Sequence, residues 1–540
     1  MSTIDWIVLV ATLCGIIAYG IYKSSSTKNL EGYFLGNRSM PWYLVLLGIM
    51  GTQASAITFL SAPGQAYTDG MRFVQYYFGL PLAMVVISIF FVPIFRKLKV
   101  YTAYEYLETR FDRRTRVFIA LLFLIGRGLS TGISIYAPSI ILSSLLGWNI
   151  YTTNIVMGGL LIIYTITGGA KAVAYTQKLQ LIIIITGMCI AGYLVVKLLP
   201  GDMGFADALQ NAGSQGKMNI ITSGFKNGSF DWKDKYNIWS GIIGGFFLAL
   251  SYFGTDQSQV GRYLTAKTDK ESKVGLLMNG FVKVPMQFLI LLLGILVFTF
   301  YQYQKAPVYF NTALKAEAMA TAKADSLTQL ETQYNLLQQN HQVPQAMALR
   351  TQYQSVVKRA LPGKDVKDTD YIFLTFVIGY LPKGLVGLLI AVIILAAWGS
   401  IAAALNSLAS CTVVDFHKKL VKDTPGNKAD YNLSQWYTLG WGIFCIIIAF
   451  FAHNIGNSLI EAVNIVGSWF YGVILGVFLV AFWFKQLHGK AVFWAALVAQ
   501  AIVIYLSAQN IVSFLWLIPA GVIMVIGFSW VLQQIFQRTV

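Results

Sequence analysis

The stretch GIMGTQASAITFLSAPG, residues 48–64, decides the fold. It lies in an apolar block at 42–64, yet it puts Gly51, Thr52, Gln53, Ser55 and Thr58 into the middle and ends in Ala-Pro-Gly. Membrane helices carry small residues where backbones approach closely, and irregular backbone only beside protein or a cavity. A span of this kind unwinds, and its freed carbonyls can coordinate a cation. Two further stretches have the same character, GGFFLALSYFGTDQSQ at 244–259 and AAWGSIAAALNS at 396–407. Tight helix packing accounts for any one of them. All three in one chain, the first two opening comparable stretches of its two halves, favour a transport site.

Apolar blocks surround this stretch. A first helix runs from Asp5 to Tyr22, and others follow at 73–96, 116–146, 152–168, 176–199, 237–257, 276–302, 371–413, 434–453, 458–484, 491–508 and 513–536. Most have roughly the 20 residues that cross a bilayer core as a helix. The expectation is about thirteen transmembrane helices, with 371–413 holding one span and a short preceding segment. Only 12% of the 540 residues are charged, against roughly 25% in a soluble domain. That excludes a disordered chain, a fibre and an ordinary cytosolic enzyme. The chain is an all-α polytopic membrane protein whose first partner is the lipid bilayer.

The net charge of +17 would suggest nucleic acid in a soluble chain. Here the basic residues gather in alternate loops. One set carries Lys28 and Arg38; Arg96, Lys97, Lys99, Arg110, Arg113, Arg114 and Arg116; Lys171 and Lys178; Arg262, Lys267, Lys270 and Lys273; Lys418, Lys419 and Lys422; Lys485 and Lys490; and Arg538. The short loops between them, such as 64–71 and 148–152, carry almost none. The positive-inside bias puts the charged loops in the cytoplasm and explains the charge without nucleic acid. No basic residue precedes the first apolar block, and Lys23 and Lys28 follow it, the reverse of a secretory signal. The first helix is therefore retained. The N-terminus is expected outside and the C-terminus in the cytoplasm, in the plasma (inner) membrane.

The domain organisation follows. Residues 1–303 are transmembrane, 304–368 form an extramembrane insert, and 369–540 are transmembrane again. The insert is rich in Lys, Glu, Gln and Ala, which favour helix, and is punctuated by Pro344 and Pro362-Gly363. It is expected as an external helical hairpin, a lid or packing element rather than a partner-binding module. No obligatory protein partner is evident.

Few ionisable residues fall inside spans, where they are costly and default to function. Arg127 and Lys283 lie mid-span. Asp256 and Glu461 are near span ends and are expected to reach water. His341, His417, His453 and His488 all lie outside span centres, and Cys14, Cys189, Cys411 and Cys445 form no CxxC pair. These patterns argue against a zinc site, a disulfide framework or an intramembrane enzyme.

Four motifs, in order, resemble the sodium:solute symporter family, which contains bacterial sodium/galactose, proline and sialic acid transporters. They are GYFLGNRSMPWY at 32–43; YTITGG at 164–169 with AKA and then YTQKLQ at 175–180; SYFGTDQSQVGRYLTAK at 251–267; and ALNS at 404–407. The likeness covers most of the chain outside 304–368. It implies a LeuT-like core of two inverted repeats of five helices with extra flanking helices. A small polar solute would bind at mid-membrane and be imported by alternating access on a sodium gradient. No organic cofactor is implied beyond the Na+ ion.

The resemblance also implies site residues. Carbonyls of the family's sodium site fall on Gly51, Ala54 and Ala396, and its hydroxyl pair falls on Gly399 and Ser400. Gly399 has no hydroxyl, so the site lacks one ligand of the several oxygens a hard cation wants. The family's Asp on the ion-release path is Gln177, followed by Lys178. These departures keep proton coupling open as an alternative. For the solute, the family pattern points to Thr58, Tyr76, Tyr77, Tyr252 and Lys283. Arg127 either clamps a solute carboxylate through paired hydrogen bonds or pairs with a neighbouring helix. The pocket is more aromatic and less acidic than a galactose site and favours a carboxylate-bearing or acidic sugar. A sensor would need an appended signalling domain, which the sequence up to Val540 does not carry. A channel would need a continuous pore.

Overall fold

The computed structural model describes residues 1–24, 32, 35–201, 203–340, 342–364, 366–420, 427–451 and 458–538. Lys28, Lys422, His341 and His453, and residues 33–34 of the first motif, lie outside the described residues, as do the side chains of Lys23, Lys171 and Arg538. Among the described residues the regular structure is helical apart from a short hairpin, Phe225–Lys226 paired with Ser229–Phe230, and an isolated bridge between Met40 and Ala266.

Leu385–Cys411 forms the centre. It is buried on all sides and packs against the first helix, Thr3–Ser24, against Arg113–Leu146 and against Ile150–Lys197. A helix apolar all round belongs in such a core. Gly384, with φ 87°, starts it and separates it from the short apolar helix before it, Ile372–Tyr380. Large apolar side chains such as Leu82, Ile163, Phe281, Trp436 and Ile523 face outward on the surrounding helices. This is the inverse of a soluble surface and suits contact with lipid.

Among the described residues, eight helices are long and apolar enough to cross a membrane, or nine with one bent pair. The expected count of about thirteen is not reached by that measure. The shortfall falls on shorter or more polar helices: Thr3–Tyr19, Ile150–Ile166, Ser240–Gly254 and Asn427–Ala449.

The bent pair is the stretch that opened the sequence reading. Trp42–Gln53 and Ala56–Asp69 meet at 58°. Ala54 leaves helical geometry at φ −86°, ψ 79°, and the Ser55 hydroxyl accepts the Ile57 N–H at 3.3 Å, starting the second arm. A matching break lies between Gly245–Gly254 and Gln257–Leu264, where the Asp256 carboxylate caps the second arm through the Ser258 N–H at 2.8 Å. Ile150–Ile166 and Ala174–Lys197 also meet. The Tyr164 and Thr176 hydroxyls are 3.1 Å apart, whereas twelve residues of straight helix rise about 18 Å.

Residues 304–368 contain three helices, Thr312–Met319, Ala324–Gln339 and Val343–Ala360, rather than two. The latter two pair as a hairpin around their own apolar cluster, which includes Tyr309, Leu327, Tyr334, Tyr353 and Val357.

Candidate functional site

The break at 54–55 changes where backbone hydrogen bonds go. In an unbroken helix the Ser55 N–H would bond the Gly51 carbonyl and the Thr58 N–H would bond that of Ala54. Instead the Ser55 N–H turns to Gln53 O at 3.1 Å and the Thr58 N–H to Ser55 O at 3.0 Å. The Gly51 and Ala54 carbonyls, two of the three singled out from the sequence, thus lose their helical donors, whereas Ala396 lies within the continuous helix Leu385–Cys411. Two other helices close on this point. A side chain at Gly51 would sit 2.7 Å from Gln177 Cδ, and one at Gly399 would sit 3.3 Å from Gln180 Oε1 and 3.4 Å from Gln177 Nε2. The glycines let the glutamine side chains pass between the broken helix and Leu385–Cys411. Ser400, one residue on, is buried and donates to Ala397 O at 2.9 Å. Oxygen atoms without a fixed negative charge suit a monovalent hard cation.

Beside this junction lies a cavity with about 950 Å³ of atom-free space, counting its opening to solvent. Thr58, Tyr76, Tyr77, Arg127, Tyr252 and Ser400 all line it. Tyr76 donates to Asn464 Oδ1 at 2.8 Å and meets Tyr77 edge-on, 4.7 Å between ring centres. Gln259 donates to the Tyr252 hydroxyl at 2.8 Å. The Arg127 guanidinium lies 5.8 Å from the centre of the Tyr252 ring, and its Nη1 is 3.7 Å from Asp256 Oδ2. The other demands on Asp256 come from the Tyr471 hydroxyl at 3.1 Å and from Ser258. Arg127 therefore does both things the sequence left open: it faces the cavity and it faces a carboxylate on another helix. Its Nε is buried without a hydrogen-bond partner.

Four residues lie elsewhere than expected. Lys283 is fully buried behind Tyr77, its Nζ 5.9 Å from that ring's centre, and does not line the cavity. Gln177 is buried at the junction, but its neighbour Lys178 points to the surface beside Tyr43. Asp256 and Glu461 do not reach water; they are 2% and 0% exposed. Asp256 is turned inward by its capping role, and Glu461 is held by Lys235 from a distant loop.

Gln53, noted in the sequence only as a polar residue of the broken span, lines the cavity, as do Thr131, Ser134, Asn464 and Tyr471, which the sequence reading did not single out. Thr131 and Ser134 sit four and seven residues after Arg127, on its helix face. That periodicity was available. Asn464 is a lone amide in an apolar span, and nothing local marks which way it points.

The sequence matches the model of the sodium:solute symporter family over residues 33–326 and 346–499. The chain belongs to the sodium:solute symporter family. Sodium is its coupling ion and its fold is the LeuT-like one. The match leaves out 327–345, which lies within the insert. The chain is 26% identical to the sodium/sialic acid symporter SiaT of Proteus mirabilis over 91% of this chain and 86% of that one. It is 31% identical to the human sodium/iodide cotransporter, over 47% of this chain and only 38% of the cotransporter. A solved substrate-bound, outward-open sodium-coupled sialic acid symporter superposes with a TM-score of 0.79 at 23% identity, covering 99% of this chain and 98% of that one. Mhp1, a nucleobase-cation-symport-1 family transporter, gives 0.50 at 10% identity, covering 94% of each.

Proposed function

We propose that this symporter imports a small organic anion, an acidic sugar being the leading class, with sodium bound at the helix-break junction. Arg127 carries the reading. It is a cavity-lining guanidinium whose single carboxylate neighbour stands 3.7 Å away, beyond hydrogen-bond distance, and whose Nε has no partner, so it keeps donor capacity for a carboxylate. The aromatic rings of Tyr76, Tyr77 and Tyr252 offer faces for a sugar ring, and Thr58 and Asn464 offer hydrogen bonds. Gly51, Ala54 and Ala396 carbonyls and the Ser400 hydroxyl hold the ion beside it. The sialic acid symporters among the relatives agree with this class. The protein sits in the plasma membrane with the N-terminus and the 304–368 insert outside and the C-terminus inside.

Uptake into proteoliposomes under an imposed sodium gradient tests this, using sugar acids, neutral sugars, amino acids and monocarboxylates. Sugar acids are expected to accumulate, and a Ser400→Ala variant to accumulate less. Accumulation on a proton gradient without sodium would sink the sodium assignment; preference for neutral sugars would sink the solute class. Protease access to the insert in intact cells tests the orientation, which fails if the insert is cut only after permeabilisation.

A further inference from the structure

We propose that the Gln180 side-chain amide supplies the oxygen that Gly399 lacks, completing the cation site at the junction. The inference rests on the sodium reading above and concerns one ligand of that site. A hydroxyl at position 399 would extend from a β-carbon lying 3.3 Å from Gln180 Oε1. The amide oxygen therefore stands next to the place such a hydroxyl would take. An amide oxygen is a neutral, hard donor, equivalent to a backbone carbonyl for this purpose.

A second observation points to a ligand at the same place. Gln177 and Gln180 are 1% and 2% exposed. They sit three residues apart on one helix face, and neither amide atom of Gln177, nor Nε2 of Gln180, has a hydrogen-bond partner. Buried amides left unpaired cost about 1–3 kcal/mol per group. Packing gives no return on that cost. A cation shared with the Gly51 and Ala54 carbonyls offsets the part that falls on an acceptor, Gln177 Oε1, whereas the two Nε2 groups are donors and gain nothing from it. The two glycines then have one explanation: each removes a side chain that would collide with, or displace, a glutamine.

The test is direct binding of radioactive sodium to the purified full-length protein in nanodiscs, which needs no knowledge of the solute. Gln180→Leu is expected to weaken sodium binding roughly 10-fold or more, as losing a supporting ligand does. Adding Gly399→Ser to that variant returns a hydroxyl and is expected to recover most of the loss. A merely structural role for Gln180 would not be rescued this way. Unchanged sodium affinity in a monodisperse Gln180→Leu protein overturns the proposal alone, whereas absence of sodium binding in the wild type overturns the sodium reading and the proposal with it. If Gln180→Leu does not fold, Gln180→Glu keeps the size and the oxygen. It is expected to tighten sodium binding and make it fall as the carboxylate protonates; an unchanged, pH-independent affinity overturns the proposal.

Discussion

Arg127 and Arg350 are both buried beside an aspartate, and the two pairs are built differently. In the insert, Arg350 Nη2 meets Asp368 Oδ1 at 2.7 Å. That carboxylate also accepts from Gln354 Nε2 at 2.8 Å and from the Phe310 N–H at 2.7 Å. The guanidinium lies over Phe310 at 4.9 Å and over Tyr67 of the broken helix at 5.7 Å. Burial disfavours the charged guanidinium there, but Asp368 outweighs it and raises the pKa above the ordinary value. Arg127 stops 3.7 Å short of Asp256 and opens into a cavity. The first pair is closed by direct contact, although Arg350 Nε, like Arg127 Nε, is buried without a hydrogen-bond partner, and it ties the insert to the core. The second has donor capacity left over where a solute can reach it.

Breaking the closed pair has the largest expected effect. Asp368→Ala strands a buried guanidinium, and losing one partner of a buried pair costs about 3–5 kcal/mol. Thermal unfolding and protease sensitivity of the insert check this. Stability unchanged by the substitution would mean the pair is not what anchors it.

Breaking the open pair should spare the fold and damage transport. Arg127→Met removes hydrogen bonds to a charged solute worth about 1.5–3 kcal/mol. An increase in solute KM of roughly 10- to 100-fold is expected at that energy, with the melting temperature little changed. A large loss of stability with normal KM would make Arg127 a second anchor instead.

Tyr471→Phe sharpens the contrast more gently. It removes one neutral donor from Asp256, worth about 1 kcal/mol, so Asp256 is freer to draw Arg127 closer. A KM increase of roughly fivefold is expected; a KM that falls would reverse the sense of this coupling. The smallest effect is expected from Lys178→Ala. A surface side chain changes stability within about 0.5 kcal/mol, and uptake should stay within about twofold. A steep loss of sodium dependence there would restore Lys178 to the ion path.

What the sequence revealed follows from how local each feature is. The broken helix was legible because Gly51, Thr52, Gln53 and Ser55 interrupt an apolar run within a few residues. The central helix was legible as apolar, but 396–407, grouped in the sequence with the two stretches that break, lies inside the continuous helix Leu385–Cys411. Lys283 came from the family pattern, and the sequence alone does not show that it packs against Tyr77 outside the cavity lining. Glu461 was misjudged because its partner, Lys235, is 226 residues away. The absent hydroxyl at Gly399 was plain in the sequence, but what stands beside the gap required three helices to be brought together.

The most direct test of the central claim compares a sugar acid with its own amide in sodium-loaded uptake. The amide keeps the ring and hydroxyls and removes only the charge that Arg127 is positioned to bind. The account predicts that the acid accumulates with sodium and the amide does not, and that Arg127→Met abolishes the difference. Equal uptake of acid and amide by the wild-type protein would contradict it.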